Sequence, residues 1–167
     1  NHCNISGNGA VVSGGGLHVD SNSSVSVIES SFTSNFIANL ADVSTIIRNA
    51  VNNDIATVEL ASCGGALIAR LSNNLTIRDS NFTSNNASRG AGICTGSATR
   101  LNLDGHIEFD SNVAVYYGGG MLLLDSYYPT YNSNSNHLMS LRNNKANYGS
   151  AIAIAELKVD GTNPDAK

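Results

Sequence analysis

Phe82 to Met121 reads FTSNNASRGAGICTGSATRLNLDGHIEFDSNVAVYYGGGM, a stretch in which two short motifs each occur twice. One is a bulky apolar residue three places before an asparagine, as Phe82 with Asn85 and Phe109 with Asn112. The other is a doublet of tiny residues leading to an aliphatic, as Gly90-Ala91-Gly92-Ile93 and Gly118-Gly119-Gly120-Met121. The alternation runs on in both directions. Gly14-Gly15-Gly16-Leu17, Phe32 with Asn35 and Gly64-Gly65-Ala66-Leu67 lie before it, and Gly149-Ser150-Ala151-Ile152 lies after it. Looser copies of the first motif are Ile5 with Asn8 and Leu141 with Asn144. From doublet to bulky residue the steps are 18, 18, 19 and 23 residues, and from bulky residue to the next doublet 9, 32, 8, 9 and 8. A period in the twenties marks a supersecondary unit that cannot bury its own apolar face and is stable only when stacked on its neighbours.

Within a unit the apolar positions alternate. Counted from the first residue of each doublet, the fourth position is Leu17, Leu67, Ile93, Met121 and Ile152, and the sixth is Val19, Ala69, Thr95, Leu123 and Ile154. A spacing of two is strand geometry, because successive side chains point to opposite faces. Val25 and Val27, Leu75 and Ile77, and Leu101 and Leu103 supply a second short run before each phenylalanine. No unit carries the three-and-four spacing that a helix requires. The predicted fold is all-β, a parallel β-helix of about five to six coils, each strand pairing with its copy roughly 4.8 Å away. The doublets suit a corner where backbones approach closely or φ turns positive. Asn35, Asn85 and Asn112, with Asn8 and Asn144, suit a second corner where side-chain amides pass hydrogen bonds from coil to coil.

Interleaved in this register, the GGA(I/L/V)-like and FxxN motifs resemble the repeats of the chlamydial polymorphic membrane proteins and of related surface proteins in other microbes, from Ile5 to Ile154. The resemblance implies a right-handed parallel β-helix that serves as a surface passenger, with adhesion its commonest role.

Two intervals break the period. Between Phe32 and Gly64 there is room for one more coil, with Leu40-Ala41 as its doublet, Val43 and Thr45 in the inward columns and Val58 at the aromatic position. The turn residues Asn49, Asn52, Asn53 and Asp54 suit an insertion loop instead, so residues 36–62 are expected to be a degenerate coil or an insertion. Residues 125–136, with Tyr127, Tyr128, Pro129 and Tyr131 among serines and asparagines, are expected to project as a loop. Residues 157–167 turn polar and read as a cap or linker. The sequence begins mid-repeat and without methionine, so residues 1–167 are read as one β-helix domain within a longer protein.

Composition narrows the function classes. Hydrophobic residues make up 41% of the chain and fall in register, which excludes disorder for most of it. The net charge is −4 and the nine basic residues form no stripe, so no nucleic-acid partner is expected. No run approaches the ~18 apolar residues of a membrane-spanning segment. Cys3, Cys63 and Cys94 match no metal spacing, and Cys63 and Cys94 fall in different columns, so no disulfide is assigned. Asn-x-Ser/Thr sequons stand at Asn4, Asn22, Asn74, Asn81 and Asn86 as possible N-glycosylation sites. Asn4 and Asn81 each precede an inward residue and are expected to face out.

Catalysis finds little support. Polysaccharide-active β-helices gather carboxylates on one outer face. Here Asp20, Asp79 and Asp110 share the sequence Asp-Ser-Asn but occupy three different register positions. His2, His18, His106 and His137 lie beside no hydroxyl or thiol in a recognised arrangement, and no glycine pattern fits a phosphate or dinucleotide. No catalytic residue, metal or cofactor is expected. Binding is better motivated. The outward positions of the doublet strand include His18, Ile68, Cys94, Leu122 and Ala153, an apolar row that predicts lateral packing against another copy, domain or segment. All six tyrosines fall between Tyr116 and Tyr148, and Tyr127, Tyr128 and Tyr131 form a second contact candidate for sugar or protein. Tyr117 and Tyr148, each just before a doublet, suit corner packing. The expected role is a non-catalytic extracellular or cell-surface element for adhesion or for a structural filament, its partners a surface protein, a glycan or further copies. Its rivals are a carbohydrate-active β-helix enzyme and a passive spacer stalk.

Overall fold

The computed structural model describes residues 2–38, 62–71, 74–96, 98–132 and 138–158, which form strands and no helix. The strands lie in successive layers. The first holds β1 (Asn4–Ser6), β2 (Gly9–Ala10) and β3 (Leu17–Val19). The next holds β4 (Ser24–Ile28), β5 (Ser31–Thr33), β6 (Phe36–Ile37) and β7 (Leu67–Arg70). Above it come β8 (Asn74–Thr83), β9 (Asn86–Arg89) and β10 (Ile93–Gly96), then β11 (Leu101–Asp110), β12 (Val113–Tyr117) and β13 (Met121–Tyr127). The top layer holds β14 (Thr130–Tyr131), β15 (Leu138–Arg142) and β16 (Ile152–Lys158). The pairings between these strands are parallel and join one layer to the next, making a β-solenoid of about four turns. It has three walls. The aromatic wall is seven-stranded and built on β8 and β11, the doublet wall runs β3-β7-β10-β13-β16, and the short wall runs β2-β6-β9-β12.

The periodic residues stack. Ile5, Phe32, Phe82, Phe109 and Leu141 are register partners up the aromatic wall. The phenylalanine rings lie fully buried with centroids 5.1 and 5.0 Å apart. Each such ring pair contributes about 0.5–1.5 kcal/mol beyond its area burial. Leu17, Leu67, Ile93, Met121 and Ile152 stack likewise on the doublet wall, and both columns meet Leu75, Ile77, Leu101 and Leu103 in one core.

Corners are left-handed. Gly64 opens its doublet at φ 73°, and a Cβ on Gly65 would stand 2.6 Å from the Asn86 carbonyl oxygen and 2.7 Å from that of Ala91. Backbone therefore approaches backbone where a side chain would intrude. At the corner before each ladder asparagine, Ser34, Ser84 and Ser111 take φ of 54°, 55° and 57° without being glycine. Their N–H groups donate to Thr83, Asp110 and Arg142 in the layer above at 2.9–3.0 Å, which offsets the cost of that conformation.

The asparagine ladder is continuous. Asn8, Asn35, Asn85 and Asn112 each donate through Nδ2 to Oδ1 of the next member, ending on Asn144, at 2.9–3.1 Å. Each of those Oδ1 atoms also accepts the backbone N–H of the asparagine below. The second Nδ2 proton goes to the carbonyl of the bulky residue one layer down, as Asn85 to Phe32 at 3.0 Å. Asn35, Asn85 and Asn112 are fully buried, and their amides are saturated.

The stretches that break the period are described only in part. Leu40, Ala41, Val43, Thr45 and Val58 lie outside the described residues, but Phe32 pairs directly with Phe82 and Leu17 directly with Leu67. Phe36 and Ile37, assigned to that irregular stretch, form β6. Within residues 125–136, Tyr131 pairs with Leu103 in the inward column, and residues 133–136 lie outside the described residues. Leu157 and Lys158 continue β16 in register with Ser126 and Tyr127, and the rest of the expected cap or linker, residues 159–167, lies outside the described residues. The short wall itself was not expected. Its inward column of Ala10, Ile37, Ala87, Ala114 and Ala146 forms a separate small core. No helix among the described residues is long and apolar enough to cross a membrane.

Candidate functional site

The outer row of the doublet wall does stack as His18, Ile68, Cys94, Leu122 and Ala153. It is not an open face. Ile68 and Cys94 are fully buried and Leu122 nearly so, in a cluster with Cys63 against which Leu124 and Ala153 pack. A disulfide joins Cys63 to Cys94 with Cα atoms 5.8 Å apart. Cys63 shares its column with Arg89, the residue before the next doublet, and the corner turns it over the neighbouring column one layer up. Ile68 and Leu122 are therefore unavailable as an interface, and surface remains only at the two ends of the row, at the exposed His18 and the half-buried Ala153.

At the front of that row, Ser13 Oγ lies 3.2 Å from His18 Nδ1, and His18 Nε2 lies 4.0 Å from Asp20 Oδ2. Arg70 donates to Asp20 at 2.8 Å. The hydroxyl beside His18 was not foreseen, because Ser13 reaches it only across the left-handed bend at Gly14, whose φ is 66°. Burial first, and then the Arg70 guanidinium, hold the His18 imidazole below its usual range, while the Arg70 hydrogen bond lowers Asp20. A neutral imidazole can take a proton from Ser13. Acyl transfer also needs paired donors for an oxyanion, and the amides of Gly14, Gly15 and Gly16 already donate to carbonyls of residues 63–66.

Asp20, Asp79 and Asp110 stay apart, on different corners and strands as expected. A shallow cleft of about 310 Å³ brings Glu29 and Asp79 together with His2, Asn4 and Asn81. Both carboxylates are engaged there. Glu29 pairs with His2 at 2.7 Å, and Asp79 accepts the His106 backbone N–H at 2.9 Å. No group of three metal-ligating side chains occurs among the described residues, and His137 lies outside them. The sequon asparagines Asn4, Asn22, Asn74, Asn81 and Asn86 are all exposed. Asn4 and Asn81 share one outward column of the aromatic wall.

Tyrosine exposure is not where the loop predicted it alone. Tyr127 is half-buried beneath the Arg100 guanidinium, 4.4 Å from its ring centroid. Tyr131 is 49% exposed with its hydroxyl 3.9 Å from Met139 Sδ, and burial raises its pKa. Tyr128 is open, at 56%. The larger feature is the short wall. Among the described residues, eight of the thirteen large apolar side chains left exposed lie on it or at its exit corner, among them Phe36, Val113, Val115, Tyr116, Tyr117 and Tyr148. Tyr117 and Tyr148 are register partners whose rings stack at 5.3 Å, with Tyr116 tilted against Tyr117 at 6.5 Å. Only the placement of Tyr117 and Tyr148 before a doublet hinted at this. Comparison with protein-family models, curated proteins and solved structures finds no match.

Proposed function

We propose that this chain is a right-handed parallel β-helix that works outside the cell or at its surface as an adhesive element. Right-handedness follows the strong preference of parallel crossover connections. The disulfide suits an oxidising compartment, where such bonds persist. The observation that carries the adhesive reading is the concentration of exposed aromatic and aliphatic side chains on the short wall. Patches of this kind on a soluble surface mark interaction sites. The partner is a protein or glycan of another surface. Use as a filament or stalk is the structural form of the same reading. In a eukaryotic secretory host the exposed sequons carry glycans, checked by the mass lost on enzymatic deglycosylation.

The test is adhesion of the intact chain to cells, wild type against Tyr117→Ala/Tyr148→Ala. Wild-type binding lost in the variant supports the reading, and a wild type that binds no surface removes it. A carbohydrate-active enzyme is the second reading, favoured by the cleft that holds Glu29 and Asp79. Product release from a polysaccharide panel incubated with the chain and calcium would establish it.

A further inference from the structure

We infer that Asn86 carries an N-linked glycan whose first sugar packs on the Phe36 ring and covers the middle of the short wall. This goes beyond the adhesive reading and confines it to the tyrosine corner. Asn86 opens the sequon Asn86-Ala87-Ser88 and is exposed. It stands in the outward column of the short wall, paired with Phe36 in the layer below and Val113 in the layer above. Both neighbours are exposed, at 41% and 38%. The other sequons in strands differ. Asn4 and Asn81 pair with Ser31, Asn81 also with Glu108, and Asn74 with Ser24, so their register neighbours are polar.

Layers lie roughly 4.8 Å apart, so a sugar on Asn86 Nδ2 reaches the side chain one layer down. A pyranose has a C–H face, and an aromatic ring is the apolar surface that matches it. The Phe36 ring lies across Gly9, where a Cβ would stand 2.6 Å from its tip, and the glycine lets it settle on the wall as a platform. The sugar thereby removes from water a patch that otherwise calls for a partner. An oxidising secretory compartment, which suits the Cys63–Cys94 bond, is also where N-glycans are added. The co-reactant is an oligosaccharide on a lipid pyrophosphate. Asn86 Nδ2 bonds to the sugar C1 and gives up one proton, while the C1–O bond breaks and the lipid pyrophosphate leaves with that electron pair. Ser88, which supplies the sequon hydroxyl, is buried in the fold, so the transfer precedes folding.

The experiment uses the intact chain secreted by a eukaryotic host and trimmed by endoglycosidase to one sugar per site, as wild type, Asn86→Gln, Phe36→Ala and the double variant. Peptide mapping is expected to find Asn86 occupied. Asn86→Gln is expected to shift the folding equilibrium about fivefold toward the unfolded state when Phe36 is present, and not to shift it in the Phe36→Ala background. An equal shift in both backgrounds overturns the inference. So does an unmodified Asn86, which leaves the patch to a foreign surface. Should Phe36→Ala fail to fold, NMR of the wild type decides. Close contacts between sugar C–H protons and the Phe36 ring support the packing, and their absence overturns it. Adhesion enters none of these measurements. A wild type that binds no surface therefore removes the adhesive reading and leaves this inference to the mapping and the paired variants.

Discussion

Asn85 holds four buried groups at once. It accepts from the Asn35 backbone and side chain and donates to Phe32 O and Asn112 Oδ1, all within 2.9–3.1 Å. Asn85→Ala orphans these partners in the interior, and the expected loss is about 3–5 kcal/mol of unfolding free energy in urea. Asn85→Asp keeps the acceptors but aims a carboxylate at two oxygens that want a donor. Its carboxyl pKa in the folded state rises above the unfolded ~3.9. The native state then binds more protons than the unfolded one, so this variant regains stability as pH falls through the raised pKa, and urea midpoints at pH ~7 and ~4 check it. His18 has the opposite sign. Its lowered pKa means that the native state binds fewer protons, so its stabilising contribution is present above the unfolded ~6.5 and is lost as pH falls through the folded value. Arg70→Met removes a cause shared by His18 and Asp20, and NMR titration should show both pKa values rise.

At the scale of the element, the Cys63–Cys94 bond ties the residue that precedes one doublet to the outer face of the next layer's strand. It closes a loop with a sequence separation of 31. Loop-closure arithmetic puts its contribution at about 3–4 kcal/mol. Guanidinium unfolding with and without reductant should differ by that amount, and Cys63→Ser/Cys94→Ser should match the reduced wild type. β14 shows a different lesson. Thr130 and Tyr131 hold the register of Asn102 and Leu103 although proline and polar residues surround them, because a paired edge gains more from the ladder than two residues lose to poor strand propensity.

Across the whole molecule, burial is deepest in the middle layers. Residues 62–69 and 118–123 are buried, whereas Leu138 and Ile154 of the top layer are 59% and 58% exposed and most of residues 2–12 are open. A solenoid's stability is a sum of layers and their interfaces, and its ends fray first. Hydrogen exchange should be slowest at Phe82, Ile93 and Phe109 and fast at Ile5 and Ile154. Uniform protection along the chain would contradict that gradient.

The periodic positions determined the stack by themselves. Phe32 over Phe82 over Phe109, the asparagines beside them and Leu17 through Ile152 were all legible, because parallel in-register strands convert a repeat in sequence directly into a column in space. What no period could encode was decided by the tertiary structure. β2 and β6 are two residues long and leave no pattern. Cys63 meets Cys94, and Ser13 meets His18, diagonally across left-handed bends rather than along a column. The outer row through Ile68 and Leu122 reads as open in sequence, since alternation tells which way a side chain points but not what covers it. The exposed tyrosine face appears only when residues 9, 36, 86, 113 and 145 are brought onto one wall by the winding of the chain.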